Sequence, residues 1–260
     1  MAGAFYPAEP QALRRDLALS LGPLLSPTPA KGVILPHAGY VYSGRTAGGV
    51  LRRVQVPDTC FLVGPNHRGH GESFALSDAQ AWETPLGRVA VDRDFTNGIL
   101  IASHDLREDS LAHAEEHSLE VVVPFLQYRN PGVCIIPLLI GTLDLEQARE
   151  VGLSLVEYLR SQSRFLIVAS TDMTHYESDE ATRKKDAYAL RAIEALDEEA
   201  LAAAVKRHRI TMCGFVPVYL SLILWKALGA QKATLVDYRT SAEASGDYDR
   251  VVGYAGFVVN

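Results

Sequence analysis

Phe165-Leu166-Ile167-Val168-Ala169-Ser170-Thr171-Asp172-Met173-Thr174-His175 is the stretch that decides the fold. It opens with an apolar, partly β-branched run bounded by polar residues, which reads as a strand buried on both faces of a sheet. The polar residues follow just past the strand's carboxyl end. Working outward, Val33-Ile34-Leu35-Pro36-His37 and Cys60-Phe61-Leu62-Val63-Gly64-Pro65-Asn66-His67 repeat the design, each a short buried run leading through Pro, Gly or Asn to a histidine. In open α/β sheets ligands bind outside the carboxyl ends of the strands. Three such ends carrying imidazoles and a carboxylate therefore point to one site assembled from distant sequence.

The remaining segments keep the alternation. Pro10 to Leu21 reads as an amphipathic helix ended by Gly22-Pro23, and Gly39-Tyr40-Val41-Tyr42-Ser43-Gly44 as a loop leading into a helix near Thr46 to Arg53. A β-excursion is expected from Ser73–Ser77 and Arg88–Val91 around the turn Thr84-Pro85-Leu86-Gly87. Helices follow near Asp94 to Ser103 and Ala114 to Tyr128, then a buried strand at Cys134–Ile140 and a helix from Leu145 to Arg160. Two helices cover Arg183 to Lys206, a third runs from Cys213 to Leu228, and strands at Ala233–Tyr238 and Val251–Val259 close the chain. No repeat or linker divides it. The expectation is one α/β domain over residues 1–260, a mixed, mostly parallel sheet covered by helices on both faces; 260 residues that are 48% hydrophobic supply enough core for it.

A net charge of −6 argues against nucleic acid as a partner, and the one basic run, Lys206-Arg207-His208-Arg209, reads as the solvated end of a helix. Three cysteines without CxxC spacing argue for a reducing, cytoplasmic setting. No run reaches the roughly 18 apolar residues of a membrane span, and the first residues do not read as an export signal.

Neutral imidazole is the commonest protein ligand for zinc, iron, copper and nickel, so His37 and His67 are candidate ligands. Cys213 precedes an apolar helix, where the dipole favours a thiolate, and a His/His/Cys site is chemically coherent. Asp172 and His175, three apart, face one cavity if their segment turns helical, as orienting groups or as acid and base. His117 can point into the same cavity from its helix. His113-Ala114-Glu115-Glu116-His117 also matches the H-x-x-E-H pattern of inverted zinc peptidases, a five-letter match that chance supplies easily. His70 and His104 read as loop residues. The Gly39–Gly44 segment matches no phosphate-binding fingerprint, so no nucleotide cofactor is expected, and no Gly-x-Ser-x-Gly elbow supports serine hydrolysis.

Several of these segments together resemble the MEMO family, named after the mediator of ErbB-receptor-driven cell motility. They are Ala2-Gly3-Ala4-Phe5-Tyr6-Pro7, Pro36 to Gly44, Gly64-Pro65-Asn66-His67, Glu116-His117-Ser118-Leu119-Glu120, Ser170 to Tyr176, Cys213-Gly214, Ser245 to Tyr248 and Val251 to Ala255. The family is similar in fold to class III extradiol ring-cleaving dioxygenases, which hold Fe(II) with two histidines and a carboxylate. The resemblance implies metal ligation by His37, His67 and Cys213 with Asp172 and His175 beside them, and an iron or copper ion, Fe(II) favoured; with His117 read from its helix, His175, Asp172 and His117 form the expected catalytic group. Cys213 stands where the dioxygenases use a glutamate, so ring cleavage does not carry over. The resemblance also implies AMMECR-type and radical SAM proteins as partners. Three functions are carried forward: a metal-dependent oxidoreductase on an unknown substrate; a binding or signalling module that uses a relic pocket for a small-molecule or peptide ligand; and a Cys213 nucleophile with His175 as base.

Overall fold

The computed structural model describes residues 1–23 and 25–260. The strands are β1 (Gly32–Leu35), β2 (Thr59–Pro65), β3 (Phe74–Leu76), β4 (Ala81–Thr84), β5 (Gly87–Val91), β6 (Arg107–Glu108), β7 (Cys134–Ile140), β8 (Phe165–Ser170), β9 (His175–Glu177), β10 (Ala233–Thr240) and β11 (Val251–Val259). Along the main path the order is β10-β11-β1-β8-β2-β7-β3-β6, with the β4-β5 hairpin joined to β7 and β9 joined to β11. The four central strands, β1, β8, β2 and β7, run parallel, while β11 and β3 flank them antiparallel.

Side-chain alternation along these strands builds a core on each face. Ile34, Phe61, Val63, Ile136, Ile167 and Ala169 join one cluster, with residues from helices Leu145–Ser161, Asp179–Glu194 and Phe215–Ala227. Val33, Leu35, Cys60, Leu62, Leu166 and Val168 join the other, against helices Pro10–Leu21 and Tyr40–Leu51 and the segment Glu120–Arg129. A strand buried on both faces has no polar side to spare, which is why these runs are continuously apolar. The result is the mixed, mostly parallel α/β domain expected from the sequence.

The strand order positions the site. Because β8 lies between β1 and β2, with Leu35 opposite Ser170 and Val63 opposite Ala169, three carboxyl ends emerge side by side. His37, Asp172 and His67 follow those ends within two residues.

Four local expectations are corrected. The helix expected from Thr46 begins at Tyr40, with Gly39 as its N-cap, so the glycine-rich stretch is helical rather than a loop. Its glycines serve close packing: a Cβ on Gly44 would lie 3.0 Å from Ser20 Oγ, and one on Gly48 would lie 2.7 Å from Leu21 N. The helix expected over Ala114 to Tyr128 is absent, replaced by a short helix Ser110–His113, a turn, and a helix Val123–Arg129 with Pro124 in its first turn. Proline lacks an N–H and clashes with the preceding turn, so the helix starts there. The partner of β5 across the Thr84–Gly87 turn is Ala81–Thr84, not Ser73–Ser77. Asp172 to Thr174 is not helical; it passes through a bend at Thr174 into β9, which begins at His175.

Candidate metal centre

His37 is 1% exposed, carried just beyond β1. Its backbone N–H donates to Asp172 Oδ1 at 2.9 Å, and its Nδ1 lies 2.8 Å from Ser170 Oγ. The Ser170 hydroxyl spends its proton on the Ser118 carbonyl at 2.7 Å. Ser170 Oγ is therefore an acceptor toward the ring, His37 carries its proton on Nδ1, and Nε2 keeps a free lone pair. Burial holds the His37 pKa well below the usual histidine value, with His67 and His117 adding to the effect, so the ring is neutral at physiological pH.

His67 follows β2, and Glu116 accepts from both its backbone N–H, at 2.6 Å, and its Nδ1, at 2.9 Å. His117 lies beyond the short helix. Its ring stacks on Phe5 at 4.6 Å between centroids and on His67 at 4.7 Å, and burial lowers its pKa. One ligand nitrogen from each of His37, His67 and His117 fits in a group whose members all lie within 4.8 Å of one another, the one such group of three or more His, Cys, Asp or Glu among the described residues. Neutral imidazoles with their outer nitrogens tied to hydroxyl or carboxylate are the donors a transition-metal ion takes, so these residues fit such an ion.

Cys213 adjoins this group from the loop before helix Phe215–Ala227. Its Sγ is 3.3 Å from His37 Nε2 and accepts the Asp172 backbone N–H at 3.2 Å, yet it lies outside the three-imidazole group. Burial, reinforced by Asp172, pushes the thiol pKa up. The helix start therefore does not by itself yield a thiolate, and a cation would be needed to favour one. Asp172 is 5% exposed, and burial raises its pKa to about 6 against the hydrogen bond from His37 and the charge of His175. His175 stands at the edge: its Nδ1 lies 2.8 Å from the Thr211 carbonyl, which can only accept, so Nε2 is free.

The six candidate residues thus meet at one sheet edge, with Asp172 beneath His37 and His175 on the outer side. The peptidase pattern dissolves, because His113 Nε2 pairs with the Ala75 carbonyl at 3.0 Å and does not join the imidazole group. His70 and His104 are exposed, and Lys206 to His208 form the last turn of helix Glu198–His208. Glu116, Ser170, Thr211 and Phe5 went unread as site residues. Glu116 meets His67 across 49 positions of sequence, a pairing no local spacing announces.

Residues 1–258 match the family described as "Memo-like protein". Among similar proteins is a MEMO1 family protein of Methanopyrus kandleri, 39% identical over 99% of this chain and 96% of the relative. Another, from Aquifex aeolicus, is 40% identical over 99% of this chain and 97% of its own length. A third, from Methanosarcina acetivorans, is 40% identical over 100% and 97%.

Proposed function

The chain belongs to the Memo-like family, and from that premise we propose that it is a metal-binding protein whose ion is held by His37, His67 and His117, with the Cys213 sulfur as a further donor on the His37 side. The convergence of three imidazoles, two of them with Nδ1 already engaged by Ser170 and Glu116, carries the reading. The ion proposed is iron or copper, ferrous iron favoured by the likeness in fold to extradiol dioxygenases, in a cytoplasmic oxidoreductase. Bound there, such an ion supplies Lewis acidity and one-electron chemistry.

The chain's own residues supply the rest. Asp172, whose pKa burial raises, is placed to hold a proton beside His37, and its Oδ1 fixes the His37 backbone. His175 presents Nε2 as a base while the Thr211 carbonyl holds Nδ1, which places a proton carrier at the outer side of the pocket. Phe5 covers the His117 ring and limits water on that side.

A non-enzymatic binding module is the second reading, favoured by two exposed rings, Tyr42 at 42% and Tyr176 at 66%, close enough to Tyr254 to help raise its pKa after burial and Asp172. AMMECR-type and radical SAM proteins are proposed partners on the resemblance alone. Anaerobic titration with ferrous iron tests the first reading. Saturable binding by wild type that His37→Ala abolishes in a folded protein supports it; no uptake of iron or copper rejects it.

A further inference from the structure

Glu116 contacts two of the three imidazole residues, His67 and His117. It is 6% exposed, at the turn after the short helix Ser110–His113. Oε1 accepts from His67 Nδ1 at 2.9 Å and from the backbone N–H groups of His117 and Ser118, each at 2.8 Å; Oε2 accepts the His67 backbone N–H at 2.6 Å. His117 Nδ1 also lies 3.3 Å from Oε1.

Both Glu116 oxygens act as acceptors, since the three backbone N–H groups that converge on them can only donate, and a neutral imidazole has one N–H to give. Nδ1 of His67 is therefore a donor, and in the neutral ring this leaves the Nε2 lone pair for a ligand. Capping the turn requires only the bonds to His117 and Ser118. The two bonds to His67 reach 49 residues away and do nothing for the turn itself.

We infer that Glu116 is the positioning residue of this centre: it selects which nitrogen of His67 faces the ion and brings a fixed negative charge against the imidazole pair to offset that of a bound cation. The inference rests on the metal-binding reading for its second half and on hydrogen-bond geometry for its first. The same segment reaches the third imidazole, because the Ser118 carbonyl takes the Ser170 proton and so leaves Ser170 Oγ to orient His37. Ser118 Oγ in turn donates to the Pro65 carbonyl at 2.7 Å, pinning the end of β2 from which His67 emerges.

Glu116→Gln is nearly isosteric but replaces one oxygen with an amide that can only donate. Its oxygen can take the place of Oε1, which receives three of the four N–H groups, so the amide meets only the His67 backbone N–H donor to donor; Glu116→Ala removes the acceptor of His67 Nδ1 as well.

The test has two parts, both on the full chain. Long-range nitrogen-15 correlation of the histidine rings in metal-free wild type should show His67 and His37 protonated on Nδ1; His67 protonated on Nε2 overturns the inference with no variant needed. In Glu116→Ala, His67 should shift toward the Nε2–H form while His37 stays unchanged, and cobalt(II), titrated by its visible bands, should bind about 10–100-fold more weakly. A folded variant with the wild-type His67 tautomer and cobalt affinity overturns it. Wild type that binds no cobalt(II) or iron(II) overturns the metal reading instead, and the tautomer measurement alone then decides the role of Glu116.

Discussion

Gly214 packs tightly against the end of β8, and Gly214→Ala tests whether that contact holds Cys213 in place. A Cβ there would lie 2.5 Å from Thr171 Cβ and 2.7 Å from Thr171 Oγ1, with the Ser170 carbonyl also in its path. Ordinary carbon contacts sit at about 3.5–4.0 Å, so relief needs a shift of about 1 Å. The strand end cannot supply it, because Leu35 is registered against Ser170 and Thr171 Oγ1 already accepts the Gly214 N–H at 2.9 Å. The Cys213-Gly214 segment must move instead, stretching the 3.3 Å Sγ to Nε2 contact with His37. Overpacking of this kind costs about 1–3 kcal/mol. For a chain of this size that lowers Tm by about 2–10 °C. Calorimetry on the metal-free protein measures the first effect, and the alkylation rate of Cys213, with Cys60 and Cys134 replaced by alanine or serine, measures the second. A Tm within a degree of wild type with an unchanged alkylation rate would refute the reasoning.

Trp225→Ala empties a fully buried site against β1 and should cost about 3–5 kcal/mol in urea unfolding; a loss below 1 kcal/mol would mean the indole is not a core element. Burial depresses the His113 pKa, so the stability it contributes is present above the unfolded value of about 6.5 and is lost as pH falls below it. His113→Gln should therefore flatten the decline in stability between pH 7 and 5, and parallel pH profiles for the two proteins would contradict this. Cys213→Ala removes a donor that stands beside the imidazole group rather than within it, so metal binding should weaken without vanishing, as isothermal titration will show.

Where the sequence carried its own local signal, the structure follows it. The three strand ends were legible because runs buried on both faces leave no alternative to an interior parallel sheet, and each polar residue beyond them falls at the sheet's carboxyl edge. That they adjoin was not legible, since it depends on β8 inserting between β1 and β2. The helix drawn through Pro124 ignored a signal that was present; proline there marks a first turn, and the preceding residues form the turn that presents His117. The glycines of residues 39–48 misled in the other direction, because residues that often mark loops here permit the approach of helix Pro10–Leu21. Glu116 and Ser170 stand in segments the sequence does single out, but their pairing with His67 and His37 was not legible, as those partners lie 49 and 133 positions away.

A metal ion held by imidazoles is tested most directly by the metal content of protein purified without oxygen or chelators. Elemental analysis should find near-stoichiometric iron or copper in wild type and in His175→Ala, whose ring lies outside the imidazole group, and a loss of that metal in folded His37→Ala, His67→Ala and His117→Ala. Wild type that carries no metal and takes up none, or a His37→Ala protein that retains its full complement, would contradict it.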